Sequence, residues 1–225
     1  MRNRGKLNAW MSLPLVLAAL LLVLWQGLHT QDSRSSRRVS GRKQQNCPRE
    51  AVVKSVADGD TFTTDAGQCV RLLNIDAPER GEPLSDKAAG RLRGLILRQN
   101  VRLTYDTEAQ DRYGRLLCHV HLDSEWVNET LIEEGLAAVY LVKPNLLKAS
   151  VLIAAQKTAR SRKVGIWSLP PPAPEEYYVA SAKGFVFHRP SCRMARSISE
   201  RNLTRIGSRD VALDRGLSAC RNCGP

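Results

Sequence analysis

The sequence predicts an α+β fold, and three observations carry that expectation. Five short segments alternate like strands between turn residues, and three others place apolar residues at helical spacing. A stiff run, Ser168-Leu169-Pro170-Pro171-Pro172-Ala173-Pro174, separates this region from a cysteine-bearing tail. At 225 residues the chain has room for one medium domain plus something small.

The N-terminal residues are predicted to lie outside the fold. Arg2, Arg4 and Lys6 precede an apolar run from Ala9 to Trp25 broken by Ser12 and Pro14, the form of an export signal. The run is long for a cleaved signal and short for a membrane span. Gln26-Gly27-Leu28-His29-Thr30 offers no Ala-x-Ala-like cleavage site. Residues 1–30 therefore read as a retained hydrophobic helix in the lipid bilayer of the inner or plasma membrane. The remainder is expected on the periplasmic or extracellular side, with secretion after cleavage as the alternative. Residues 31–46 have almost no apolar content and read as a disordered basic linker.

Within residues 47–168, Ala51–Ala57 runs into an Asp58-Gly59 turn and Thr61–Thr64 returns from it. Gln68–Ile75 makes a third strand after the Ala66-Gly67 turn, and Val101–Tyr105 and Leu116–Leu122 make two more. A helix is expected over Leu84–Arg98 from Leu92, Leu95 and Ile96. A short one over Val127–Glu134 is stopped by Gly135, and a longer one over Leu146–Arg162 ends before Gly165.

Charge is unevenly spread. The formal net charge of +12 divides into eight Lys/Arg against one acid in residues 1–45, seventeen against eighteen in 46–176, and nine against three in 177–225. The central region is near neutral, so basic flanks would supply the attraction to a polyanion.

Chemistry concentrates in Asp58-Gly59-Asp60-Thr61 and Arg71-Leu72-Leu73-Asn74-Ile75-Asp76-Ala77-Pro78-Glu79. Asp60 and Asp76 offer hard oxygens to a divalent cation, Glu79 could take a proton from water, and Arg71 could hold charge building on phosphorus. Asp111-Arg112-Tyr113-Gly114-Arg115 adds a second arginine. An oxygen-only donor set favours calcium over zinc and leaves magnesium and manganese open.

The order and spacing of these segments resemble the staphylococcal nuclease (thermonuclease) family across roughly residues 50–168. Val127–Ala137 and Gly165-Ile166-Trp167-Ser168 are further landmarks of the resemblance. It implies an OB-type five-stranded β-barrel with packed helices and hydrolysis of phosphodiester bonds in DNA, with RNA as a second substrate class. It assigns Glu79 as general base, Arg71 and Arg115 as phosphate clamps, and Asp60, Asp76 and the backbone carbonyl of Ala77 as calcium ligands. Asp58 would support the turn and Tyr113 would contact substrate. A non-catalytic nucleic-acid-binding protein on the same barrel is the alternative, and the full set Asp60, Arg71, Asp76, Glu79 and Arg115 argues against it.

After the linker 169–176, residues 177–225 contain His188, Cys192, Cys220 and Cys223 in the pattern H-x3-C-x27-C-x2-C, a plausible tetrahedral zinc set. So few large apolar side chains would need a metal to fold, although a disulfide between two of the cysteines is the competing reading. The segment resembles the small metal-binding domain of Ada-type DNA methyl-phosphotriester repair proteins. His188 stands where that family has its methyl-accepting cysteine, so a zinc-held DNA-binding module is implied and methyl transfer is not. Arg189, Arg193, Arg196, Arg201 and Arg205 are its expected phosphate contacts. Cys47 and Cys69 are positioned for a disulfide after export, and Cys118 reads as a small buried residue.

Overall fold

The computed structural model describes residues 47–225. The expected membrane helix and basic linker lie outside the described residues; among those described, no helix is long and apolar enough to cross a membrane.

Five strands close into a barrel: β1 (Glu50–Val56), β2 (Thr61–Thr64), β3 (Cys69–Leu72), and, past two elements given below, β5 (Asn100–Thr104) and β6 (Leu116–Leu122). β1 runs antiparallel to both β2 and β5, β2 to β3, and β5 to β6. The parallel pairing of β3 with β6, with Arg71 opposite Leu117, closes the ring. Alternation fills the interior with Val53, Phe62, Val70, Leu103, Leu116 and Val120, all at most 2% exposed. This is the OB-type α+β architecture expected from the sequence.

The predicted third strand is broken. Leu73 and Asn74 turn the chain, Asn74 in the left-handed region (φ 62°), and a separate short strand β4 (Ile75–Asp76) pairs with β8 (Ala138–Val139) instead of the barrel wall. Asparagine tolerates this conformation better than most residues. Buried Asn128 fixes the turn by donating from Nδ2 to the Leu73 carbonyl at 3.0 Å while its Oδ1 accepts from the Val120 N–H at 2.9 Å. The break lifts Asp76 out of the wall.

Helix α1 (Ser85–Ile96) buries Ala88, Leu92, Leu95 and Ile96 against the barrel, and α2 (Val127–Glu133) follows the short strand β7 (Glu125–Trp126). α3 (Ala149–Ser161) buries Leu152, Ala155, Gln156 and Ala159, and Gln156 Oε1 accepts from the Val139 N–H at 2.7 Å, holding β8 in place. All three helices match the predicted segments and are shorter at one or both ends.

The tail folds on a four-stranded sheet in the order β11 (Leu203–Ile206), β9 (Tyr178–Ser181), β10 (Val186–His188), β12 (Ser218–Ala219), with helix α4 (Arg209–Asp214) packed against it. Its small core holds Tyr178 and Phe187 edge to face at 5.6 Å, with Ile206, Ala212 and Leu213. Arg160 of α3 pairs with Asp210 and, at 2.7 Å, with Asp214, tying the tail to the barrel's last helix.

Candidate active site and thiol–imidazole cluster

The Asp58–Thr61 turn is seated by a close approach. A Cβ at Gly59 would lie 2.6 Å from the Ala77 Cβ and 2.7 Å from the Ala88 Cβ, so only glycine lets this turn press against both β4's end and α1. Asp58 Oδ1 accepts the Asp60 N–H at 3.0 Å, across the turn. Asp60 is thereby buried, 6% exposed. Its Oδ2 accepts the Ala77 N–H at 2.7 Å, and its Oδ1 accepts from the Thr61 hydroxyl at 2.9 Å. Burial pushes the Asp60 carboxyl up to about 6, against the opposing pull of Arg71 and the Ala77 N–H.

Arg71 joins the two aspartates. Its Nε lies 3.0 Å from Asp60 Oδ1, and its Nη2 donates to Asp76 Oδ1 at 3.0 Å. Its Nη1 donates to the carbonyls of Leu72 and Ile75, each at 2.7 Å. Four of its five N–H groups therefore face protein oxygens, which leaves one for a substrate.

Glu79 sits three residues beyond Asp76 with a largely exposed side chain, and its backbone N–H donates to Glu82 Oε2 at 2.8 Å. Both acids are bridged by a residue that sequence reasoning passed over. Arg221 donates from Nη2 to Asp76 Oδ2 and from Nη1 to Glu79 Oε1, each at 2.6 Å, and the bond to Asp76 is the main cause of its raised pKa. It lies 142 and 145 residues from its partners, so no local pattern points to it.

Arg115 is not in contact with these acids. Its Nε donates to Asp111 Oδ2 at 2.7 Å and its backbone N–H to Asp111 Oδ1 at 3.0 Å, and among the described residues its terminal nitrogens have no hydrogen-bond partner. Burial raises the Asp111 carboxyl, but these bonds outweigh it and hold the pKa below the ordinary value. Extending the β3–β6 register by two residues from Arg71 and Leu117 sets Arg115 beside Cys69, on the same sheet face as Arg71. Tyr113 is 68% exposed, with Arg112 donating to its hydroxyl at 2.5 Å.

The donors that meet are carboxylate oxygens, one pair deeply buried, and this set fits a hard cation of the calcium type. A cleft of about 590 Å³ adjoins the site, lined in part by Asp76, Tyr140, Arg160, Trp167, Arg209 and Arg221.

In the tail, one ligand atom each of His188, Cys192, Cys220 and Cys223 lies within 4.8 Å of the others. His188, Cys192 and Cys220 are buried, and burial lowers the His188 pKa, keeping the imidazole neutral as a ligand must be. All six cysteines are free thiols. The expected Cys47–Cys69 bond is absent: the Cys47 thiol acts electrostatically on Tyr105 and Cys118, whereas Cys69 is influenced by Arg115 and Asp111. Cys118 is buried as expected. Arg189 is a brace rather than a free phosphate contact, since it donates to Glu175 Oε1 at 2.6 Å and to the carbonyls of Ala173, Cys223 and Gly224. Arg205 is spent on Glu176 and the Tyr177 ring, while Arg193, Arg196 and Arg201 are exposed.

A family model described as staphylococcal nuclease homologue matches residues 69–169. A thermonuclease of Staphylococcus hyicus is 33% identical over 163 residues, covering 68% of this chain and 94% of that protein. A thermonuclease of Staphylococcus intermedius is 38% identical over 125 residues, 52% of this chain and 74% of that protein. Endonuclease YncB of Bacillus subtilis is 30% identical over 157 residues, 64% of this chain and 74% of that protein. With a closed five-stranded barrel and relatives matched over most of their length, the chain belongs to the staphylococcal nuclease family and is a phosphodiester hydrolase.

Proposed function

We propose that this nuclease is a calcium-dependent endonuclease acting on DNA, and on RNA as a second substrate, exported and held at a membrane by residues 1–30. The observation that carries the catalytic part is the sharing of one guanidinium by two acids: Arg71 contacts Asp60 and Asp76 together, with Glu79 tied to Asp76 through Arg221. Asp60 and Asp76, with the Ala77 carbonyl, would hold the cation, which supplies positive charge beside the nonbridging phosphate oxygens.

Glu79 takes a proton from the attacking water; its exposed side chain can reach one. Arg71 gives its remaining N–H to the phosphate, and Arg115 offers its two terminal nitrogens, unpaired among the described residues, from the same sheet face. Tyr113 lies under Arg115, 5.7 Å from guanidinium to ring centre, and contacts the strand being cut.

We further infer that His188, Cys192, Cys220 and Cys223 hold zinc, as one neutral imidazole and three thiolates within reach of a single ion. The tail is then a basic module, similar to the Ada-type domain, that adds affinity for nucleic acid through exposed Arg193, Arg196 and Arg201. Export rests on the apolar run Ala9–Trp25 and its basic start.

The test is hydrolysis of DNA with calcium and with a calcium chelator, by the native chain and by Glu79→Ala. Activity should need calcium, and the variant should lose about a hundredfold or more in rate, the usual scale for a transition-state group. A variant retaining more than about a tenth of the native rate would overturn Glu79 as the base.

A further inference from the structure

The acids of the nuclease site already have an occupant from the chain's other end. Asp76 Oδ1 accepts from Arg71 at 3.0 Å and Asp76 Oδ2 from Arg221 at 2.6 Å, so both oxygens are held by guanidinium groups. Glu79 Oε1 is taken by the other arm of Arg221, also at 2.6 Å. A divalent cation bound by Asp76 would compete for those same lone pairs. It would also bring like charge within a few ångströms of Arg221.

Arg221 does not reach the acids from a loose loop. It lies inside Cys220-Arg221-Asn222-Cys223, whose two thiols belong to the four-residue cluster. The turn is closed by the Gly224 N–H donating to the Cys220 carbonyl at 2.9 Å and fastened to β10 by the Cys220 N–H donating to the Phe187 carbonyl at 3.0 Å. On its far side the Arg189 backbone N–H donates to Cys223 Sγ at 3.4 Å. A guanidinium on so short and well-held a turn is pre-set over the acids, which makes the contact part of the fold.

We propose that Arg221 competes with calcium for the nuclease site: its guanidinium pairs with Asp76 and Glu79 and must be displaced when calcium enters. This rests on the reading of Asp60 and Asp76 as cation ligands. Arg221 is a positioning residue here. It keeps the acids paired until a cation replaces it, and so ties metal loading to movement of the tail's cysteine turn.

The experiment is calcium binding by titration calorimetry, without nucleic acid, on the full chain and on Arg221→Ala, Arg221→Lys and Asp60→Asn. Arg221→Ala removes two charge-assisted bonds from a half-exposed side chain, and calcium should bind about tenfold more tightly. Arg221→Lys keeps the charge but cannot span both acids, so it should fall between Arg221→Ala and the native chain. Equal calcium affinity in native protein and Arg221→Ala, with Asp60→Asn abolishing binding, would overturn the competition while leaving the site intact. Undiminished binding in Asp60→Asn would instead overturn the ligand assignment beneath it. A hundredfold lower rate in Arg221→Ala at unchanged calcium affinity would make Arg221 a substrate clamp, against the proposal.

Discussion

Gly59→Ala should damage both stability and rate, by amounts that follow from two distances. The added Cβ would stand 2.6 Å from the Ala77 Cβ and 2.7 Å from the Ala88 Cβ. Non-bonded carbons prefer about 3.5–4.0 Å, so each overlap is on the order of 1 Å. Neither neighbour can swing aside, because both atoms are fixed directly to buried backbone. The turn itself must retreat, and overpacking of this kind costs about 1–3 kcal/mol. The retreat also pulls Asp60 Oδ2 away from the Ala77 N–H, now 2.7 Å distant, and displaces the carboxylate from Arg71. A misplacement of about 1 Å in a catalytic group costs on the order of a hundredfold in rate.

Urea denaturation in chelator reads the first effect, and DNA hydrolysis at saturating calcium reads the second. The cause is isolated by repeating Gly59→Ala in a chain that already carries Ala77→Gly and Ala88→Gly, where both clashing carbons are gone. There the added cost should largely vanish, although the background is itself weakened by a helical glycine. If Gly59→Ala unfolds at the native urea concentration and cleaves within about threefold of the native rate, steric contact is not what seats Asp60.

Two other outcomes are expected. His119 is 1% exposed with neither ring nitrogen hydrogen-bonded among the described residues, and burial, helped by Lys148 and His121 against Asp106, lowers its pKa from 6.5 to about 4. The unfolded chain therefore binds more protons over that window, so stability present above pH 6.5 falls by about 3 kcal/mol as pH drops towards 4. Asp60, with its pKa raised to about 6, acts in the opposite direction between pH 6 and 3.8, so the diagnostic is the difference between native and His119→Leu urea curves at pH 7 and 4.5. Identical acid sensitivity in the two would refute it. On the zinc reading proposed for the tail, atomic absorption should find one zinc per native chain and none after Cys220→Ser with Cys223→Ser, a change that should also lower the tail's resistance to protease while the barrel's unfolding transition survives. Tail protection unchanged in a zinc chelator would remove the metal from the account.

What the sequence revealed tracks how far apart the cooperating groups lie. Asp60, Arg71, Asp76 and Glu79 fall within twenty residues, and a turn, a strand and a second turn suffice to bring them near each other. The cluster of His188, Cys192, Cys220 and Cys223 was legible for a related reason: thiol and imidazole chemistry restricts what so polar a segment can do. Strand alternation gave the barrel's staves but not its closure. The β3–β6 pairing is parallel and non-local, and nothing in either strand's pattern specifies it. The break at Asn74 was missed because Leu73 and Ile75 continue an apolar run, whereas the turn is held by the Asn128 side chain, fifty-five residues on from the Leu73 carbonyl it binds. That break matters most for function, since an unbroken strand would leave Asp76 in the barrel wall.

Arg221 shows why such residues escape motif reasoning. A phosphate-cutting site collects negative charge from short local segments, and in the absence of a cation that charge must be balanced from elsewhere in the chain. Arg71 alone spreads over Asp60, Asp76 and two carbonyls, and leaves Asp76 Oδ2 and Glu79 without a cationic partner. Any well-placed guanidinium could supply the balance, so the local sequence of the acids does not say where it comes from. Here the short cysteine turn of the tail provides it. On the proposed reading of both sites, coupling between the acids and the cysteine cluster would follow from charge balance at a shared pair of carboxylates, without any change in the barrel itself.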